Sequence, residues 1–325
     1  MSSLQSQLKS DVSSSEPLVS VIIPAFKVAS FIEQTVSSVL AQTFTNYEVI
    51  VINDGSPDTE LLEKNLSRFS GVISYIKQPN AGAGAARNAG LKIARGEFVA
   101  FLDGDDVWLP EFLDAQLELI NSGAGYDLVY TDAINFDERG RSRLTNMDLN
   151  PSDGPVTAES LIAGTCNIIT SSVVARRELI EAVGYFDESF PNSQDYDLWL
   201  RLAKRGARIT YQKRVLVERR IYEGSLASDP IKSFSGEISV LEKTATRSDL
   251  TAAEREALKR KLELRHASIA VCRGKQQLSS GDFGAAAAAF RAANAFYQSW
   301  KLRAVLFSLY FAPRLLQRVY KLRTT

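Results

Sequence analysis

Short runs of consecutive apolar residues alternate along the first third of the chain with stretches in which apolar positions recur at helical spacing. LVSVIIPAF, Leu18 to Phe26, is apolar and β-branched and reads as a buried strand. From Phe31 to Gln42 the apolar residues Phe31, Ile32, Val36, Val39 and Leu40 follow a helical period. Tyr47 to Asp54 predicts a second strand, closed by the turn Asp54-Gly55-Ser56-Pro57. Thr59 to Phe69 predicts a helix, Val72 to Gln78 a third strand, Ala83 to Ala94 a helix, and Glu97 to Asp106 a fourth strand. Strand and helix alternate, and each connection is long enough for a crossover, so the pattern predicts a parallel sheet with helices on both faces.

Beyond Tyr126 a further strand is expected, then a loop rich in Gly, Asp, Ser and Pro to about Pro155, and helices over Val156 to Ala163 and Arg177 to Val183. A loop from Gly184 runs into an amphipathic helix that opens near Asp195, and from about Ile231 the pattern is almost wholly helical. With 325 residues the chain suits one domain, expected over residues 18–230, and a helical C-terminal region over 231–325. Lys+Arg and Asp+Glu are both 38, which gives no reason to expect nucleic acid as a partner. Cys166 and Cys272 stand far apart with no CxxC spacing, so neither a disulfide framework nor a zinc site is expected, and the default compartment is the cytoplasm. Residues 1–17 are Ser-rich and polar, the pattern of a flexible lead-in rather than a signal peptide, and no stretch reaches the length of a membrane-spanning helix.

In a doubly wound sheet, ligands bind beyond the carboxyl ends of the strands. Here those ends carry Pro24-Ala25-Phe26, Asn53-Asp54-Gly55-Ser56 and Asp103-Gly104-Asp105-Asp106. Carboxylates one residue apart, as Asp103 and Asp105 are, direct oxygens towards a hard divalent cation; the alternative is a solvated acidic turn. Asp54 is either an acceptor for a nucleobase or ribose donor or the opener of a DGSP turn, and both roles are compatible. Gly82 to Asn88 opens a helix with small residues, and its Arg87 offers a fork of donors to phosphate. The third glycine of a dinucleotide fingerprint is absent there and the segment follows the third strand, which argues against a nicotinamide or flavin enzyme. Asp195 is a general base or a helix N-cap, and Asp197 is a weaker candidate for the same base.

The order of a strand ending in PAF, then NDGS, then NAGAGAARNAGLKIARGEFVAFLDGDD, then GYFDESFPNSQDYDLWLRL resembles glycosyltransferase family 2, over about Val19 to Ser228. That resemblance implies an inverting enzyme with the GT-A fold: a mixed, mostly parallel, Rossmann-like sheet flanked by helices. It implies a nucleoside diphosphate sugar as donor, a UDP-sugar before others, and Mn²⁺ or Mg²⁺ as cofactor. Pro24, Ala25, Phe26 and Asp54 would line the nucleotide pocket and Arg87 would help to hold it. Asp103 would lie near the ribose, Asp105 would be the more direct metal ligand, and Asp195 would be the catalytic base, preceded by Gln194 where Glu is more usual.

Two departures stand out. Many relatives carry an R-x-H-x-G-S segment whose His is a further metal ligand; here it reads Arg220-Ile221-Tyr222-Glu223-Gly224-Ser225, and the single histidine is His266. No QxxRW segment follows Asp195, which favours a single-addition enzyme over a processive one. The expected acceptor is a glycan or lipid-linked glycan in cell-surface polysaccharide synthesis. A sugar-1-phosphate nucleotidyltransferase would instead favour a Gly-rich loop straight after the first strand, where this chain has PAFKVAS, and a non-catalytic adaptor would have lost an acidic position. Downstream, Gly281 to Phe296 resembles half of a helical hairpin, one unit of a tetratricopeptide type. The tail from Trp300 carries Lys301, Arg303, Arg314, Arg318, Lys321 and Arg323 and no acid. It reads equally as a terminal helix docked on the protein or as an in-plane helix on an anionic membrane, peripheral on the inner face of the cell membrane.

Overall fold

The computed structural model describes residues 16–324, so most of the expected N-terminal lead-in lies outside the described residues. The first half alternates as the pattern predicts: β1 (Val19–Ala25), α1 (Ile32–Leu40), β2 (Tyr47–Asp54), α2 (Thr59–Leu66), β3 (Ser74–Gln78), α3 (Ala83–Ile93) and β4 (Phe98–Phe101). These strands lie in the order β3-β2-β1-β4, all parallel. Strand alternation divides their side chains between two cores. Ile22, Ile50 and Ile52 pack with Ala86 and Leu91 of α3 on one face. Val21, Ile23, Val49 and Val51 pack with Val36, Val39 and Leu62 of α1 and α2 on the other. The chain leaves β1 towards β2 and β3 and returns to the opposite side of β1 for β4, so the switch point falls between β1 and β4.

The second half turns the sheet mixed. It contains β5 (Val107–Trp108), α4 (Phe112–Ile120), β6 (Leu128–Asp137), β7 (Gly140–Thr145), α5 (Asn146–Leu149), α6 (Ala158–Ala163), β8 (Val173–Arg176), α7 (Arg177–Ala182), α8 (Gln194–Lys204) and β9 (Ile209–Arg220). β8 runs antiparallel to β4 and β6, β9 runs parallel to β6, and β5 closes the edge antiparallel to β9. Four of these elements depart from the sequence reading. The expected loop before Pro155 holds β7, paired with β6, and the short α5 closed by a capping box between Thr145 and Asp148. β8 and β9 were not expected as strands at all. β8 has four residues and passes straight into α7, too short to show a period. β9 carries Lys213, Arg214, Glu218, Arg219 and Arg220, which hide the apolar core of Leu216 and Val217.

Helices complete the chain: α9 (Pro230–Ala245), α10 (Ala252–Ser280), α11 (Phe283–Tyr297), α12 (Trp300–Phe311) and α13 (Pro313–Thr324). Val240, Leu241, Leu250 and Leu258 join the core that holds Leu198 and Trp199 of α8. α10 and α11 form the expected hairpin through Gly281, whose φ of 89° closes α10 in the left-handed conformation that glycine tolerates. Leu278, Ala286, Phe290 and Leu309 make a separate small core among α10, α11 and α12.

Candidate active site

The acidic loop Asp103-Gly104-Asp105-Asp106 lies directly beyond β4 at the switch point. It is held from three sides. On α1, the Thr35 hydroxyl donates to the carbonyls of Gly104 at 3.0 Å and Asp106 at 2.8 Å. From a 3₁₀ turn, Thr170–Ser172, the Ser171 hydroxyl donates to Asp106 Oδ2 at 2.6 Å and accepts from the Asp103 N–H at 3.1 Å. From the end of β9, the Arg220 N–H reaches Asp106 Oδ1 at 3.0 Å and its Nε reaches the Asp105 carbonyl at 3.0 Å. Gly104 is required by close approach: a Cβ there would stand 2.8 Å from Val28 Cγ2 and 2.9 Å from the Pro24 carbonyl oxygen. The loop is therefore pressed onto the end of β1.

The three carboxylates differ in environment. Asp106 is buried and braced, and burial, then the charges of Asp105 and Asp103, push its carboxyl up to about 7. Burial and the charge of Asp103 push Asp105 up to about 6, while the Tyr222 hydroxyl hydrogen-bonds to its carboxylate. Tyr222 fills the position where the family resemblance expects histidine, and its ring lies 4.8 Å from that of Phe31. Asp103 is half-buried and pairs with Arg87 Nη2 at 2.5 Å. The neighbouring carboxylates of Asp103 and Asp105 suit a cation, but among the described residues no group of three His, Cys, Asp or Glu side chains converges as a metal site. Asp103 and Asp105 thus fit a divalent ion only as a partial ligand set, the usual arrangement for Mg²⁺ or Mn²⁺ that keeps waters and substrate phosphates as ligands.

Arg87, in the second turn of α3, is 4% exposed, and its Nε and Nη1 have no partner. A buried guanidinium with two nitrogens lacking hydrogen-bond partners, next to Asp103, suits an anion. Asp54, at the end of β2, is 2% exposed and its carboxylate already takes four hydrogen bonds. Oδ1 accepts from Gln78 Nε2 at 2.8 Å and the Ala81 N–H at 2.9 Å; Oδ2 accepts from Asn80 Nδ2 at 3.2 Å and the Gly82 N–H at 2.8 Å. These fill a carboxylate's lone pairs and fix the loop that leads into α3. Of the β1 end, Pro24 is half-buried, Ala25 wholly buried and Phe26 41% exposed, so Ala25 forms floor and Phe26 offers a ring to the surface.

Asp195 sits near the same loop, through the same 3₁₀ turn. Thr170 Oγ1 donates to Asp195 Oδ2 at 2.5 Å, and the next residue, Ser171, holds Asp103 and Asp106. The N-cap alternative for Asp195 fails: Ser193 takes the cap position in the left-handed region at φ 60°, and Asp195 is the second residue of α8 with its Oδ1 on the N–H of Tyr196 at 2.8 Å. Asp197 is buried and paired with Arg201 Nε at 2.8 Å, a packing role. Asn88 anchors the loop before α8, donating to the Phe186 carbonyl at 2.9 Å and accepting from the Phe186 N–H at 2.9 Å. The sequence reading missed Thr35, Thr170 and Ser171. The trace of the last two is the polar triplet Thr170-Ser171-Ser172 between Ile168-Ile169 and Val173-Val174, all three residues of which are buried; Thr35 left none.

The mixed, mostly parallel sheet with flanking helices and an acidic loop at its switch point is that of the GT-A glycosyltransferases. Residues 20–184 match Glycosyl transferase family 2, and the chain belongs to that family. An uncharacterized glycosyltransferase of Rickettsia felis is 32% identical over 69% of this chain and 37% of its own length. This chain spans 30% to 65% of the length of that protein and four other rickettsial relatives. A UDP-Glc:alpha-D-GlcNAc-diphosphoundecaprenol beta-1,3-glucosyltransferase of Escherichia coli is 30% identical over 69% of this chain and 85% of its own length. The fold is shared with a mannosyltransferase from Pyrobaculum calidifontis, solved with GDP-Man and Mn²⁺: TM-score 0.63, 18% identity, 95% of this chain and 85% of that one.

Proposed function

We propose that the chain transfers a sugar, with inversion, from a nucleoside diphosphate sugar to a hydroxyl of a glycan or lipid-linked glycan in cell-surface polysaccharide synthesis. One observation carries this reading. Adjacent residues of one turn, Thr170 and Ser171, hold the candidate base Asp195 and the acidic loop, so an acceptor and a departing diphosphate would meet across a single rigid element. Pro24, Ala25, Phe26 and the loop fixed by Asp54 would form the nucleotide pocket, with Asp103 near the ribose and Arg87, paired with Asp103, helping to hold the nucleotide. Asp195, oriented by Thr170 and Tyr196, keeps lone pairs free to take the acceptor proton. Asp105, with Asp103, would hold Mn²⁺ or Mg²⁺, which when bound neutralises charge on the leaving diphosphate. A UDP-sugar is the first donor to try, because the E. coli relative is named for UDP-Glc. The corresponding compartment is the cytoplasm, with the chain peripheral on the inner face of the cell membrane where lipid-linked acceptors are held.

The test is a panel of UDP- and GDP-sugars incubated with the chain, Mn²⁺ and lipid-linked or free glycan acceptors, scored for released nucleotide. Nucleoside diphosphate release, lost in EDTA and in a folded Asp105→Ala variant, is expected. Pyrophosphate release would mean a nucleotidyltransferase, and full activity in EDTA would remove the metal.

A further inference from the structure

The C-terminal helices expose large apolar side chains. α12 and α13 dock on α10 and α11 through Leu309, with Leu302, Val305, Leu306, Leu316 and Tyr320 packed around it. The opposite side carries Trp300, Phe307, Tyr310 and Phe311 on α12, which are 73%, 66%, 82% and 65% exposed. Leu315 and Leu322 continue it on α13 at 62% and 79%. The spacing 300, 303, 307, 310, 311 follows one helix face, so these side chains share one surface. The tail is docked through one side and exposed on the other.

We propose that this outward face of α12 and α13 is a seat for an anionic lipid bilayer, with the helices lying in the membrane plane. Charge selects the partner. Asp282 is the last acidic residue of the chain, and seven basic residues follow it. Arg303 lies among the exposed aromatics, and Arg314 and Arg318 are exposed beside Leu315 and Val319. Aromatic rings and leucines enter the headgroup boundary while flanking arginines meet lipid phosphates. A second copy of the chain is disfavoured on the same ground, since a two-fold contact would press like charges together. No described helix is long and apolar enough to cross a membrane, so contact would stay in the interface. Only the purpose of this seat, bringing the site to a membrane-held acceptor, rests on the proposed transfer. Vesicle binding needs neither donor nor acceptor, so the two readings fail separately.

Trp300 supplies the probe. The other tryptophans, Trp108 and Trp199, are 2% and 1% exposed, so a change on adding lipid reports Trp300. The full chain is titrated with vesicles of phosphatidylcholine alone or with a third phosphatidylglycerol. Binding to the anionic vesicles, a blue shift, quenching by brominated acyl chains and loss at high salt are expected. Arg303→Gln, Arg314→Gln and Arg318→Gln should each weaken binding about fivefold. Phe307→Ser with Tyr310→Ser should abolish quenching, with the fold checked by circular dichroism. Equal binding to neutral and anionic vesicles, or none to either, overturns the proposal. So does a concentration-dependent dimer that the serine variant dissolves while lipid leaves Trp300 unchanged.

Discussion

At the scale of the residue, the disputed position is Asp195, and the structure separates two roles that composition alone leaves open. An N-cap aspartate bonds to N–H groups two or three residues on; Asp195 instead faces Thr170, across the chain, and the cap falls to Ser193. Asp195→Asn keeps the size of the side chain and removes its basicity. The expected outcome is a folded protein, with stability shifted by less than about 0.5 kcal/mol as for a substitution outside the core, and unchanged nucleotide affinity by calorimetry. Its transfer rate should fall by roughly two to four orders of magnitude. Near-normal transfer by the folded variant would take Asp195 out of the mechanism. The acids of this site were legible in the sequence because carboxylates at strand ends are conspicuous. Thr170, Ser171 and Thr35 were not: a hydroxyl acquires its role only when distant segments meet, 65 residues apart for Ser171 and Asp106 and 71 for the Thr35 bond to the Asp106 carbonyl.

At the scale of the element, periodicity revealed β1, β2 and β4 through their buried runs Val21 to Ile23, Val49 to Ile52 and Phe98 to Phe101, whereas β3, mostly exposed, is marked by the β-branched and aromatic residues Val72, Ile73, Tyr75 and Ile76. Periodicity failed for β8, whose four residues pass straight into α7, and for β9, whose charged side chains mask its apolar centre. It also gave no sign that α9 touches the site. Gly236 of α9 lies against the turn that starts α8: a Cβ there would fall on Asn192 Oδ1 and within 2.8 Å of Ser193 Oγ. Asn192 Nδ2 in turn donates to the Lys232 carbonyl of α9 at 3.1 Å. The close approach of these two helices fixes the residues directly before Asp195. Gly236→Ala should gain about 1 kcal/mol of helix propensity and lose about 1–3 kcal/mol to overpacking. A lower melting temperature is expected, with a fall in kcat and little change in KM for the donor. The same substitution in an Asn192→Ala background, where the obstructing amide is gone, should leave the melting temperature equal or higher. If Gly236→Ala melts and turns over like the parent, α9 does not position the base.

At the scale of the whole molecule, the strand–helix pattern stops near residue 230, and the sequence draws a boundary there between a catalytic domain and a helical region. Packing runs past that point. Val240 and Leu241 of α9, Leu250, and Leu258 of α10 are in the core with Trp199, and Lys204 of α8 bonds to the Asp249 carbonyl at 2.8 Å and to Glu254 at 2.9 Å. Each large apolar side chain withdrawn from water contributes about 1.5–3 kcal/mol, so these four together rival the whole stability of an ordinary domain, about 5–15 kcal/mol. Leu309 and its neighbours on α12 pack in a core of their own, apart from the two that flank the sheet. The two segments should therefore respond differently to removal. A chain ending at residue 299 should keep a cooperative thermal transition and nucleotide binding close to those of the full chain, while losing any attraction to anionic vesicles. A chain ending at residue 230 should lose the cooperative transition, exposing the Trp199 side of the sheet. Melting curves of the two truncations, followed by circular dichroism and tryptophan emission, decide the matter: a fragment 1–230 that unfolds cooperatively near the temperature of the full chain would show that α9 and α10 are accessory to the fold, and that the break at 230 is a true domain boundary.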